Sequence, residues 1–134
     1  MERGATLADY LRNGVNPQAE NGQVRSLARC VWGAEVAPPG YGFCTEAMFE
    51  TAARNLANHF ALVGVTDRFD AFVAAAARLL GWQRVGYVRR KVTHTRPAAG
   101  SLSPAERELI LNYNALDARL YVAACERADA LART

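Results

Sequence analysis

The sequence predicts a mainly α-helical fold, about five helices with one or two short β-strands near 60–65 and 85–92, in a single domain over 1–134. Three observations carry that prediction. Apolar residues recur at spacings of three and four along much of the chain, most clearly at Phe69, Phe72, Val73, Ala76, Leu79 and Leu80. These runs open on helix-capping residues, and the clearest of them closes on a glycine. By contrast, Phe60–Val65 and Val85–Val88 are short apolar runs with strand-forming residues, the pattern of brief strands.

In chain order, Thr6 caps a short first helix with Leu7, Tyr10 and Leu11 on its apolar side, and Gly14 ends it. Asn16-Pro17 marks a turn, because the residue before a proline avoids helical angles. A second helix is expected from Gly22 to Val31, with Val24, Leu27, Ala28 and Val31 inward and Gln23 and Arg25 as polar positions. Two prolines and three glycines make 33–44 a loop. Thr45 with Glu46 and Glu50 starts a third helix that runs to Asn58, its inner face formed by Phe49, Ala52, Ala53 and Leu56. The Phe60–Val65 run then reads as a strand buried on both faces.

Thr66 offers a hydroxyl to the open N–H groups of the next helix, and Asp67 places negative charge in its first turn. Gly81 closes that helix as a left-handed cap, with Trp82 folding back on it. Ser103-Pro104-Ala105-Glu106 is a strong start signal: serine as N-cap, proline at the first position and glutamate completing a capping box. From there one helix is expected to run toward Leu131, with Leu109, Tyr113, Leu116, Leu120 and Ala124 in a continuous stripe. Tyr121 and Ala128 widen it. Such a stripe reads as core or as oligomer contact, and Asn112, Asn114 and Asp117 read as solvated.

Composition bounds the function. Apolar residues make up 51% of the chain and charged ones 22%, so a folded globule is expected rather than a disordered chain. No apolar run approaches the ~20 residues needed to cross a bilayer, and no charged-then-oily leader opens the sequence. The expectation is a soluble, cytoplasmic protein without membrane contact. Cys30, Cys44 and Cys125 are odd in number and widely spaced, which favours free thiols over a disulfide framework. With His59 and His94 as the only histidines and no close cysteine pair, no metal site is expected.

The segment from Gln83 to Ser101 has the most chemical character. Arg84, Arg89, Arg90, Lys91 and Arg96, with His94 among them, are interrupted by no acidic residue. Guanidinium forks suit phosphate or sulfate, although the same residues also make an ordinary solvated basic loop. A formal net charge of +3 and the absence of an aromatic stacking platform argue against a nucleic-acid partner.

Several stretches, taken in order, resemble the C-terminal half of the sulfotransferase superfamily, in its carbohydrate 2-O-sulfotransferase-like branch. They are LADYLRNG at 7–14, the Asn21-Gly22-Gln23-Val24-Arg25 segment, HFALVGVTDRFDAFVAAAARLLGW at 59–82, and LSPAERELILNYNALDARLYVAA at 102–124. The resemblance implies that Gln23 and Arg25 lie near an acceptor cleft as substrate contacts. It implies that Arg89, Arg90 and Lys91 approach the 3′-phosphate of the sulfuryl donor PAPS as cofactor contacts. That branch grips the donor with a strand, a Gly/Ser/Thr-rich loop and a helix N-terminus, usually with a lysine. No stretch before residue 59 has that form, and Lys91 is the only lysine. No position matches the branch's catalytic base, so no catalytic residue is assigned and no cofactor is expected for the isolated chain. The resemblance therefore implies an enzyme's back half without its front half. The functional expectation is a non-catalytic interaction or oligomerisation module. The alternative is part of a PAPS-dependent sulfotransferase that needs a separate donor-binding chain or segment.

Within that ancestry the Phe60–Val65 strand lacks encoded neighbours. Buried, unpaired backbone groups cost about 1–3 kcal/mol each. Three outcomes remove the cost: pairing with 85–92, pairing with a second copy of the chain, or loss of strand form. Together with the apolar C-terminal stripe, this favours a homodimer or a partner protein.

Overall fold

Six α-helices form along the residues that the computed structural model describes, 6–12, 19–29, 44–88 and 99–132. They are α1 (Leu7–Arg12), α2 (Gly22–Ala28), α3 (Glu46–Asn58), α4 (Phe69–Leu80), α5 (Pro104–Tyr113) and α6 (Ala115–Ala132). Short 3₁₀ turns, Thr66–Arg68 and Ala99–Ser101, precede α4 and α5. The mainly helical class is as the apolar spacing predicts.

The core lies where α2, α3 and α6 meet. Val24, Ala52, Leu56, Val63 and Leu120 are buried together, with Leu27, Met48, Phe49, Phe60, Leu116 and Ala124 packed around them. Small residues on α3 allow close approach: Ala52 is fully buried beside Val24, the most enclosed large side chain described. On the outside, Arg119 of α6 closes on α3 with a two-pronged ion pair to Glu46, both bonds 2.7 Å, and its guanidinium sits 4.0 Å from the centre of the Phe49 ring. Elsewhere α1 packs on α5, and α4 packs on α6.

Several helix ends form as expected. Thr45 accepts a bond from the Met48 N–H at 3.3 Å. Ser103 and Glu106 complete a capping box, with Pro104 in the first turn. Gly81 adopts φ 67°, the left-handed geometry that favours glycine, and the Trp82 N–H reaches back to the Ala77 carbonyl at 2.9 Å. Val31 and Gly14 lie outside the described residues.

Other expectations are corrected. Among the described residues there is no strand. Phe60–Val65 runs as irregular chain, with Val63 and Val65 buried, Ala61 exposed and Gly64 set against the Phe72 side chain. Loss of strand form is the outcome realised. Residues 84–88 are likewise irregular and exposed, lying across α4; the rest of the expected 85–92 strand is outside the described residues. Thr66 gives no side-chain cap. It opens the 3₁₀ turn instead, and α4 begins at Phe69. The long C-terminal helix breaks at Asn114, whose φ −124° and ψ 28° end α5 before α6 starts. The stripe through Leu116, Leu120 and Ala124 is used in the core, not at a surface.

The apolar face of α4 departs most from expectation. Ala76 alone among its described residues is buried, Phe72 and Val73 are half-buried, and Phe69, Leu79 and Leu80 are exposed. The reason is what lies on either side: α6 covers the Phe72 side, while only the irregular 82–88 segment crosses the other.

Candidate interaction surface

Two helix starts face each other at the α5–α6 break, and each caps the other. The Asp117 carboxylate on α6 accepts the Gln23 N–H at 3.0 Å and the Val24 N–H at 2.8 Å, the open donors of the first turn of α2. In return, the side-chain Oδ1 of Asn21 accepts the Leu116 and Asp117 N–H groups at 2.9 and 3.0 Å, the open donors of α6. Asn114 completes the lock. Its Oδ1 accepts the Asn21 N–H at 3.1 Å, and its Nδ2 donates to the Ala19 and Ile110 carbonyls. Asn21 takes a left-handed φ of 46° to present its amide there, a geometry asparagine tolerates better than most residues. At its other end α2 is held by the Asn55 amide, which donates to the Leu27 carbonyl at 2.8 Å. Asn114 and Asp117 are thus structural ties rather than solvated side chains.

Beside this junction lies a cleft of ≈ 340 Å³ between α2, the 63–66 segment and α6. Leu27, Leu56, Val63 and Leu120 make its floor, and Gln23, Thr66, Asp117 and Tyr121 its polar rim. Two of the rim side chains, Asp117 and Tyr121, are already bonded. The Tyr121 hydroxyl donates to Asp67, which holds that carboxylate below its ordinary range and pushes the phenol above its own. Arg68 pairs with Asp129 at 2.6 Å. Both contacts fasten the 3₁₀ turn to α6. The phenol is a fixed donor here, poorly suited to give up its proton. Burial, the largest influence, raises the pKa of the Cys44 thiol, which disfavours a reactive thiolate. Among the described residues, no group of three His, Cys, Asp or Glu side chains is placed to hold a metal ion.

The larger concave surface is apolar and lies along α4. A groove of ≈ 540 Å³ runs between α4 and the 82–88 segment, lined by Phe69, Phe72, Val73, Leu80, Trp82 and Val85 among others. Leu80 is 60% exposed, Trp82 52% and Val85 50%. Tyr87 pins the segment in place: its hydroxyl donates to Asp70, and its ring meets Phe69 edge-on at 4.9 Å. On the other side of the segment a second hollow of ≈ 460 Å³ is lined by Asp70, Val73, Ala74, Ala77 and Arg78.

The residues singled out from sequence are scattered. Gln23 is exposed on the cleft rim. Arg25 points inward, 5% exposed, and its guanidinium is taken up by the Glu20 carboxylate and the Glu20 carbonyl, the latter at 3.0 Å. Arg89, Arg90 and Lys91 lie outside the described residues, as do His94 and Arg96. Arg84 is exposed on the α4 groove. The groove itself escaped the sequence reading, because an apolar helical face looks the same whether a neighbour covers it or not. Among the described residues no helix is long and apolar enough to cross a membrane. Comparison with protein-family models, curated proteins and solved structures returns no match, so the sulfotransferase resemblance rests on the sequence stretches alone.

Proposed function

We propose that this chain is a non-catalytic interaction module that works through the apolar groove of α4. The observation that carries this is the run of half-exposed large side chains from Leu80 through Trp82 to Val85, contiguous with Phe69 and Val73 in one groove. Single exposed apolar residues are ordinary; contiguous ones mark a docking surface. The resemblance to sulfotransferases enters as ancestry: a transferase-like helical scaffold used for contact.

The test is whether the groove is surplus to folding. Leu80→Glu and Trp82→Glu are expected to change unfolding free energy by no more than about 0.5 kcal/mol, as for ordinary surface positions. Both are also expected to lower the binding of a hydrophobic fluorescent dye in dilute solution. If either variant unfolds the chain, the face is internal and no interaction surface exists there.

The cation-dense stretch through Arg89, Arg90 and Lys91 supports a second reading, a sulfotransferase part completed by a separate donor-binding chain or segment. Under it, the desulfonated donor nucleotide PAP raises the melting temperature of the isolated chain at millimolar concentration. No shift leaves that reading without support.

A further inference from the structure

We infer that the face of α4 carrying Asp70, Ala74 and Arg78, which adjoins the groove through Val73, pairs antiparallel with the same helix of a second copy of this chain, around a twofold axis at Ala74. This rests on the interaction-module reading and names its partner. Helical spacing puts Asp70, Val73, Ala74, Ala77 and Arg78 on one face, and these residues line one hollow that Val85, Gly86 and Tyr87 border on one side. Their order is what selects a second copy. An acid stands at one end of the face, a base at the other, and the small exposed Ala74 at the midpoint.

Asp70 and Arg78 each lie four residues from Ala74, about 6 Å along the axis. Turning a copy by 180° about Ala74 therefore sets Asp70 opposite the second copy's Arg78, and Arg78 opposite its Asp70. A self-complementary patch of this kind is what a twofold interface requires. Antiparallel helix dipoles add in the same sense. Alanine at the crossing permits a short interaxial distance, near 8 Å. Val73 and Leu80 on the adjacent side supply the apolar contact, and the Tyr87 hydroxyl, donating to Asp70 Oδ1, holds the carboxylate at the edge of the face. A parallel pairing would instead set acid on acid and base on base.

Sedimentation velocity of the full chain tests this. The wild type is expected to dimerise. Asp70→Arg and Arg78→Asp should each weaken self-association at least about tenfold, because each sets like charges against each other. An equimolar mixture of the two variants should form a heterodimer, since both positions then meet an opposite charge, one pair reversed and the other as in the wild type. Tyr87→Phe should keep the dimer, which separates loss of the Tyr87 bond from the charge effect. Ala74→Arg, at an exposed position, should block it with the fold intact by circular dichroism, and this arm stands if a charge variant fails to fold. A wild-type dimer indifferent to Ala74→Arg and to both charge variants overturns the α4 pairing while leaving the interaction module in place. A wild type that stays monomeric at millimolar concentration overturns a second copy as the occupant. Dye binding lost in Leu80→Glu would still uphold the groove.

Discussion

Removing the Asp117 side chain should cost far more than its sequence context suggests. Asp117→Ala deletes the acceptor for two backbone donors at the start of α2, at 3.0 and 2.8 Å. Loss of an ordinary helix cap costs about 1 kcal/mol. Gln23 is exposed, so water replaces the lost acceptor at its N–H. Val24 is fully buried, and its N–H is left without that remedy, which adds about 1–2 kcal/mol. The expected loss is about 2–3 kcal/mol, or roughly 6–15 °C in melting temperature for a domain of this size. Urea unfolding followed by far-UV circular dichroism measures it. Asp117→Asn, which keeps one acceptor oxygen and turns a donor toward the other N–H, should fall between. Asn112→Ala is the control, because Asn112 is exposed and should cost under about 0.5 kcal/mol. If Asp117→Ala costs no more than Asn112→Ala, the reciprocal cap does not hold the helix starts together.

Three further perturbations follow from particular contacts. A Cβ added at Gly64 would lie 2.2 Å from Phe72 Cδ2 and 2.6 Å from its Cβ, too near the backbone for the ring to swing clear. Gly64→Ala should destabilise by about 1–3 kcal/mol in a denaturant titration, and by less in a Phe72→Ala background. Arg25→Met takes the guanidinium away from the buried Glu20 carboxylate and should cost up to about 3–5 kcal/mol, largely recovered by adding Glu20→Leu. The Tyr121 bond lowers the folded pKa of Asp67 below 3.8, so its stabilisation is present above that value and lost as pH falls through the lowered one. Raised above 10, Tyr121 keeps its own share below pH 10 and loses it as pH rises through the folded value. The stability gap between wild type and Tyr121→Phe should hold steady from about pH 5 to 9 and close as the pH drops well below 3.8. A gap that persists in acid would mean that the ionised carboxylate contributes nothing.

Local signals were legible and tertiary ones were not. Ser103, Pro104 and Glu106 define a helix start within four consecutive residues, and the structure forms the capping box they encode. Gly81 announces a left-handed cap without reference to anything distant. Asn114 and Asp117 are different. Each reads as solvated from its own stretch of chain, and each finds its donors more than ninety residues away. Nothing in a helical wheel distinguishes Asp117 from Asn112. The same limit explains Phe60–Val65: its composition fits a buried strand, but strand form needs a neighbour, and the fold packs Val63 into the helical core and buries Val65 instead. At the candidate site, the expectation of substrate contact at Arg25 came with the resemblance, whereas its guanidinium turns inward to Glu20.

The groove of α4 raises the matching question in energy. Fully burying a leucine is worth about 1.5–3 kcal/mol, and Leu80 leaves 60% of its surface in water. Trp82 and Val85 leave about as much, so the folded monomer collects only part of what these side chains offer. An exposed charge pair contributes less than this, about 0–1 kcal/mol, and salt screens it. Affinity at this face must then come from Val73, Leu80 and their neighbours, while Asp70 and Arg78 set orientation. Raising ionic strength should accordingly weaken self-association less than Leu80→Glu does. The reverse order would make the surface an electrostatic one, and its apolar lining incidental.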